Sequence, residues 1–135
     1  MKTEGIALEW FDFANRDLKS AEFLVQMHPT PIEIICYHCQ QSAEKYLKGY
    51  MAFHNHKVIK THDLTLLNKI CVEIDNNFKS IEDDCIELVD YGVQVRYPFH
   101  IDLEEHDMKE AIKSAKRIKK FTLGKAKVVY SDEER

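Results

Sequence analysis

Three polar residues that could bind an anion or move a proton lie at helical spacing in the first half of the chain. Gln41, Glu44 and Lys48 recur at intervals of three and four residues. On an α-helix they form, together with Tyr37, one polar stripe about 60° wide. The remaining residues of this segment leave an apolar arc of roughly 120°, which is wide enough to face a core. This pattern predicts a small mixed-charge site on a core helix.

Further polar side chains would join this stripe if successive helices alternate in direction. His62 and Asp63 open the next predicted helix and Arg96 closes the one after it, so all three would share one pole of the molecule with Lys48. Cations that take an anion while acids hold them in place suit a bound phosphate or nucleotide. The candidate phosphate ligands are Gln41, Lys48, His62 and Arg96, and the supporting polar residues are Asp17, Glu44, Asp63 and Tyr97.

Each of these candidates also has an ordinary structural explanation. Asp17 lies at the centre of the apolar face of the first helix, where a carboxylate needs a partner. Arg96, near a helix C-terminus, interacts favourably with the helix dipole by itself. Glu44 and Lys48 have the i,i+4 spacing of a common surface ion pair, and Lys45 points further out, as expected of plain surface. The polar stripe could therefore be a solvated edge.

The cysteine and histidine spacings do not favour a metal site. Cys36 and Cys39 have the spacing of a zinc or redox pair, but both fall on the apolar arc and no second pair matches them. The histidines within residues 54–62 and 100–106 do not have the spacing of a zinc motif. The chain also lacks a glycine-rich phosphate loop and a nucleophile elbow. We therefore expect no metal and no cofactor.

The composition is that of a one-domain globular protein. Of 135 residues, 44 % are hydrophobic and 31 % are charged, and no apolar run approaches the ~20 residues that cross a bilayer. The N-terminal segment lacks the apolar region of a signal peptide, and the four cysteines fit reduced, buried thiols. We expect a cytoplasmic protein with no membrane partner. The net charge of −4 argues against broad nucleic-acid binding, and no DNA partner is expected, but a local basic site is compatible with it.

Helical periodicity runs through almost the whole chain, which has only four glycines and three prolines. It predicts helices over residues 4–27, 30–54, 61–75, 80–96 and 102–123. Capping residues mark four of the predicted starts. These residues are Thr30 with Glu33, Thr61, Ser80 with Asp83, and Asp102 with Glu105.

Short connections between long helices favour antiparallel neighbours. We therefore predict an all-α fold, an up-down antiparallel four-helix bundle with an additional fifth helix, as a single domain over residues 1–123. Residues 124–135 are expected to form a charged, flexible tail.

Four short motifs, in order along the predicted helices, carry a resemblance to a known family. They are Trp10-x-x-x-Ala14-x-x-Asp17-Leu18-x-x-Ala21, the run from Cys39 to Lys48, Thr61-His62-Asp63-Leu64, and Arg96-Tyr97-Pro98. Together they resemble the HEPN domain over about residues 8–120. The resemblance implies an antiparallel helical bundle that usually dimerises. It also implies a homodimer here, and a small nucleotidyltransferase encoded nearby as a partner in a toxin–antitoxin-like or defence system.

The sequence differs from the nuclease branch of that family at one motif. In that branch an arginine is followed after four to six residues by a histidine, and the two cleave RNA without a metal. Here Arg96 is followed by His100 after only three residues, and Pro98 between them breaks the helical register. The resemblance therefore implies a nucleotide- or RNA-binding protein. The alternatives are a metal-independent endoribonuclease with Arg96 and His100 as catalytic residues, and a non-catalytic protein-interaction module.

Overall fold

The computed structural model describes residues 2–92 and 102–128, with side chains from residue 4 onward. Within these residues there are five α-helices and no strand. The helices are α1 (Lys2–Leu24), α2 (Ile32–Phe53), α3 (Leu64–Ile74), α4 (Glu82–Val89) and α5 (Glu105–Ala126). The all-α prediction, an antiparallel bundle with a fifth helix, is confirmed. None of the described helices combines the length and apolarity that crossing a bilayer requires.

The central element of the bundle is α2, because it contacts all four other α-helices. Its most extensive partner is α1, which reaches it through the short connection of residues 25–31, and α5 is the next. From Cys39 to Ala52 every residue of α2 except Lys45 is buried. When a helix is buried on nearly all sides, its neighbours also cover its polar residues. The polar stripe of α2 is therefore covered and is not a solvated edge.

Helix starts differ from the predicted caps at several places. At α2 the N-cap is Pro31, and no side-chain cap forms there, so the Thr30 and Glu33 capping box is absent. At α3 the cap is Asp63, whose carboxylate accepts from the backbone amides of Thr65 and Leu66. Asp63 thus replaces the predicted Thr61, since its side chain bonds two of the amides that a helix start leaves unpaired.

The observed N-caps of α4 and α5 also differ from the predicted ones. The α4 N-cap is Ile81, which provides no side-chain bond, so Ser80 does not cap the helix. For α5 the N-cap is Glu104, in a reciprocal capping box with Asp107. The predicted cap Asp102 therefore lies two residues too early, because the Glu104–Asp107 pair satisfies both orphan amides at once.

The predicted fourth helix, 80–96, is broken into shorter pieces. A 3-10 helix, Asn76–Ile81, precedes α4, and a second, Asp90–Gly92, follows it. The early start has a local cause: the Asp75 side chain accepts from the Asn77 amide at 2.9 Å. The buried amide of Asn68 then donates to the Phe78 carbonyl at 3.1 Å, which satisfies a backbone group outside the regular helix pattern.

The last helix runs further than the tail boundary predicted at residue 124. It continues to Ala126 and ends at Lys127 in the left-handed conformation, with φ 58°. The Val128 amide donates to the Leu123 carbonyl at 2.9 Å, a C-terminal closure typical of helices. Residues 129–135 lie outside the described residues, so the flexible tail stays a prediction.

Candidate functional site

The candidate site is built around one buried carboxylate, Glu44 of α2, which is only 4 % exposed. Its Oε2 accepts from the Lys48 ammonium at 2.9 Å, one turn further along the helix. Its Oε1 bonds to Nδ1 of His62 at 2.8 Å, eighteen residues away in the connection before α3. The sequence-predicted residues Glu44, Lys48 and His62 are thus brought together. A charged group this deep is costly unless it is paired and hydrogen-bonded, and Lys48 and His62 supply the ion pair and the additional hydrogen bond.

Two adjacent glutamines complete the hydrogen bonding around the carboxylate. The Gln40 amide donates to the His62 backbone carbonyl at 3.0 Å and to Glu44 Oε1 at 3.3 Å. The Gln41 amide donates to Gln40 Oε1 at 2.7 Å and to Glu44 Oε1 at 3.4 Å. These bonds tie the chain before α3 to the middle of α2. We call Gln40, Gln41, Glu44, Lys48 and His62 the Glu44 cluster.

The one solvent-facing member of the cluster is His62, whose side chain is 69 % exposed. Because a carboxylate only accepts, the Glu44 contact requires the proton of the neutral ring to lie on Nδ1. Nε2 is then the nitrogen that meets solvent or a ligand. A ring held this way can donate from Nε2 when it is protonated and accept a proton there when it is neutral. The arrangement therefore suits anion binding or proton transfer.

The Lys48 side chain is nearly buried, at 7 % exposure, between Glu44 and the ring of Trp10, which lies 5.8 Å from Nζ. The next residue, Gly49, allows α1 this close. A Cβ on Gly49 would lie 2.5 Å from the Phe11 ring and 3.0 Å from Trp10 Cβ. The cation is thus confined to the cluster by packing.

The predicted supporting residue Asp17 does not contact the Glu44 cluster but binds a different pair of side chains. Asp17 accepts from Lys45 at 2.5 Å and contacts His38 Nδ1 at 2.9 Å. The interpretation of Lys45 as plain surface was therefore wrong, since it is the partner that the half-buried carboxylate of Asp17 needs. The helical geometry explains the split, because Lys45 lies about 100° around α2 from Glu44.

Asp63 serves the cluster by positioning its neighbour in the chain. Bonds from the Thr65 hydroxyl at 2.6 Å and from two backbone amides hold the pKa of Asp63 below its ordinary value. This cap fixes the first turn of α3 immediately after His62. The carboxylate of Asp63 is therefore engaged at the helix start.

Arg96, Tyr97 and His100 lie outside the described residues, so their predicted roles stay predictions. Gly92, the last described residue before them, contacts the cluster. Gly92 packs so closely on Gln40 that a Cβ there would lie 2.8 Å from Nε2. Any larger residue at this position would require the Gln40 side chain to move from its hydrogen bonds.

Three residues that shape the site were missed by the sequence analysis: Gln40, Trp10 and Gly92. Gln40 carried a usable signal, because it lies on the border of the apolar arc and a buried amide needs partners. Trp10 belongs to the first motif of the family resemblance, but that motif does not indicate its contact with Lys48, and Gly92 carried no signal. Both roles depend on how α1 and the second 3-10 helix pack.

The cysteines are fully buried free thiols with no role in the site. Burial raises the pKa of Cys36 and of Cys71 from 9.0 to about 12, and raises the pKa of Cys39 and Cys85 as well. Among the side chains that the structure describes, no group of three or more histidine, cysteine or acidic residues is arranged to hold a metal ion.

The buried thiols predict a loss of stability in alkali. Unfolded thiols ionise near pH 9, whereas the folded thiols of Cys36 and Cys71 stay protonated until about pH 12. Between these values the unfolded state binds fewer protons, so the free energy of unfolding falls as pH rises, by up to roughly 1 kcal/mol per pH unit for each thiol. Urea unfolding followed by circular dichroism at several pH values checks this. Cys36→Ala should show a shallower decline than wild type, and equal slopes would contradict the assignment.

Comparison with known proteins gives a consistent result. A sequence profile described as HEPN domain matches residues 7–126. The crystal structure of an archaeal HEPN homologue is similar to this chain with a TM-score of 0.71 and 25 % sequence identity, over 89 % of this chain and 97 % of that one. No curated protein matches the chain significantly.

Proposed function

The chain belongs to the HEPN domain family, and on that premise we propose that it binds a nucleotide or an RNA phosphate at the Glu44 cluster. The observation that carries the proposal is the exposed imidazole of His62, held at 2.8 Å by a carboxylate that is itself buried. Such a ring is oriented before a ligand arrives, so little side-chain freedom is lost on binding. In this proposal His62 contacts the phosphate directly.

The other predicted ligands act around this ring. Lys48 keeps a positive charge beside Glu44, so the cluster is not net negative toward an approaching anion. Gln41 bonds to Gln40 and Glu44 and in this proposal orients the cluster. We assign Arg96 as the second phosphate ligand, because Gly92, four residues earlier, packs on Gln40. A guanidinium would bind two phosphate oxygens together.

The variant His62→Ala should weaken binding of nucleotides or short RNAs about tenfold or more, because a charge-assisted contact of roughly 1.5–3 kcal/mol is lost. Isothermal titration calorimetry with nucleotides and short RNAs measures this. The matched control is His56→Ala: His56 is an exposed histidine of the same connection, and its Nδ1 contacts only the Lys57 carbonyl. Its affinity should stay within twofold of wild type. Undiminished binding by His62→Ala would exclude the site, and undiminished binding by Arg96→Ala would remove Arg96 from it.

A metal-independent endoribonuclease is the second candidate, and the same geometry favours it. An imidazole whose Nδ1 is bonded to a carboxylate presents Nε2 as a general base for a 2′-hydroxyl. His62 would then take the part that the resemblance gives to His100. RNA cleavage in the presence of a chelator, lost in His62→Ala and retained in His100→Ala, supports this assignment, and the reverse pattern returns the role to His100.

We further propose that the protein is a homodimer working beside a nucleotidyltransferase. A partly exposed, mainly apolar strip of α1 supports self-association. The exposed Ile6 and Phe13 and the half-buried Trp10 line, with Glu9, a cavity of about 330 Å³. Light scattering should give twice the 15.9 kDa chain mass, and expression with and without an adjacent nucleotidyltransferase tests for growth arrest. A monomeric mass at micromolar concentration would contradict the dimer.

A further inference from the structure

The outer face of α5 carries a concentration of positive charge that the chain's net charge conceals. Residues 113–127 contain six lysines and one arginine and no acidic residue, in a protein of net charge −4. The basic residues on the solvent side recur at helical spacing and span about 27 Å along the helix axis. They are Lys109, Lys113, Lys116, Arg117, Lys120 and Lys127, all of them exposed, and we call them the α5 basic face.

Acidic neighbours neutralise only part of this face. Arg117 pairs with Asp84 at 2.8 Å and Lys116 with Glu22 at 3.0 Å. On α5 itself, Lys113 reaches Glu110 and Lys109 reaches Glu105, each at 3.4 Å. Within residues 4–92 and 102–128, no carboxylate is paired with Lys120 or Lys127. The Arg117 pair involves a buried carboxylate, whereas the other pairs are exposed and therefore weak. Together with Lys120 and Lys127, the weakly paired lysines leave the face with an excess of positive charge.

A cavity of about 830 Å³ opens beside the C-terminal half of this face. Its charged and aromatic lining residues are Arg117, Lys120, Phe121, Lys125 and Lys127, together with the carboxylates Asp75 and Asp84. Lys125 pairs with Asp75 at 3.0 Å. The Phe121 ring packs edge-on against Phe78 with centroids 4.9 Å apart, and Lys125 Nζ lies 5.7 Å from its centre. The cavity therefore combines an aromatic wall with four cations, which outnumber its two carboxylates.

From this combination we infer that the α5 basic face is a docking surface for single-stranded nucleic acid, apart from the Glu44 cluster. The phosphate backbone follows the lysines and a base stacks on Phe121. Cationic grooves with aromatic platforms bind single strands in this way, over about 4–16 nucleotides. An anionic membrane fits less well, because interfacial helices insert large apolar residues and none of the exposed large hydrophobic residues lies on α5.

Fluorescence anisotropy with a labelled short oligouridylate and a labelled short oligothymidylate, across a salt series, tests the inference. The double variant K113Q/K120Q should weaken binding about tenfold and lower the salt slope by about 1.4, because each phosphate contact on a single strand contributes about 0.7. The matched control K69Q/K79Q removes two exposed lysines elsewhere and should bind like wild type. F121L keeps an apolar side chain against Phe78 and should weaken binding about fivefold or more.

Binding of either strand that depends on Lys113 and Lys120 supports the surface, and the stronger of the two strands identifies its ligand. If K113Q/K120Q and the control K69Q/K79Q bound with the same affinity, whether that affinity was unchanged or reduced, the inference would be overturned. Binding to vesicles containing phosphatidylserine without binding to either oligonucleotide would also overturn it. The variant His62→Ala is run in parallel, so that loss at the Glu44 cluster is separated from loss on α5.

Discussion

Replacing Glu44 by glutamine should lower the free energy of unfolding by about 3–5 kcal/mol, because it leaves the buried Lys48 ammonium without a counter-charge. Both side chains are nearly inaccessible, at 5 % and 8 % exposure, so water cannot replace the lost partner. For a domain of this size, the midpoint temperature of thermal unfolding should fall by about 10 °C or more. Urea unfolding at neutral pH, followed by circular dichroism, gives the value.

A double-mutant cycle separates the ion pair from other consequences of the change. Adding Lys48→Met to Glu44→Gln removes the orphaned cation, so the double variant should regain much of the stability that the single variant loses, with a coupling of roughly 2–3 kcal/mol. The chain supplies its own control: Glu105 and Lys109 have the same i,i+4 spacing but are 72 % and 63 % exposed. Their cycle should give only about 0.3–0.5 kcal/mol. Equal couplings in the two cycles would show that burial of Glu44 and Lys48 has no energetic consequence.

Gly49→Ala should lower the free energy of unfolding by about 1–3 kcal/mol, although alanine is normally the better helix former. In an unhindered helix this substitution gains about 1 kcal/mol. At Gly49 the added Cβ would lie 2.5 Å from the buried Phe11 ring, so α1 must move away from α2. That movement would also withdraw Trp10 from Lys48.

The control for this substitution is Gly124→Ala in α5, where nothing lies within 4 Å of the added Cβ. It should raise the free energy of unfolding by about 0.5–1 kcal/mol. The two substitutions should therefore change the free energy of unfolding in opposite directions. Because both replace glycine by alanine within a helix, intrinsic helix propensity cannot explain the difference. If Gly49→Ala stabilised the protein as much as Gly124→Ala, the close approach of α1 and α2 would be refuted.

Part of the site could be predicted from sequence because it depends on the spacing of residues within one helix. Gln41, Glu44 and Lys48 share a stripe at any helical register, and the Glu44–Lys48 contact follows from the i,i+4 rule. Placing His62 at the start of the next helix was sufficient to predict its approach to that stripe. The first two features depend on geometry within one helix, and the approach of His62 follows from the alternating direction of successive helices.

Other features could not be predicted, because they depend on which neighbour covers a given face. Periodicity identifies polar and apolar sides of α2 but not the element that packs on the polar side, so Glu44 could be a buried anchor or a solvated edge. For the same reason, the sequence did not predict the ion pair between Asp17 and Lys45 or the contact of Gly92 with Gln40. Capping signals such as that of Thr30 failed for a related reason: a cap contributes only about 1 kcal/mol, less than the packing that decides where a helix begins.

Residue spacing was therefore sufficient to predict the all-α bundle, the core position of α2 and the composition of its polar stripe. The packing of separate helices was needed to show that the stripe is enclosed, that His62 is its exposed member, and that the basic side of α5 faces solvent. The physical reason is that hydrophobic periodicity acts within each helix, whereas burial of a charge and its pairing arise only when separate helices pack together.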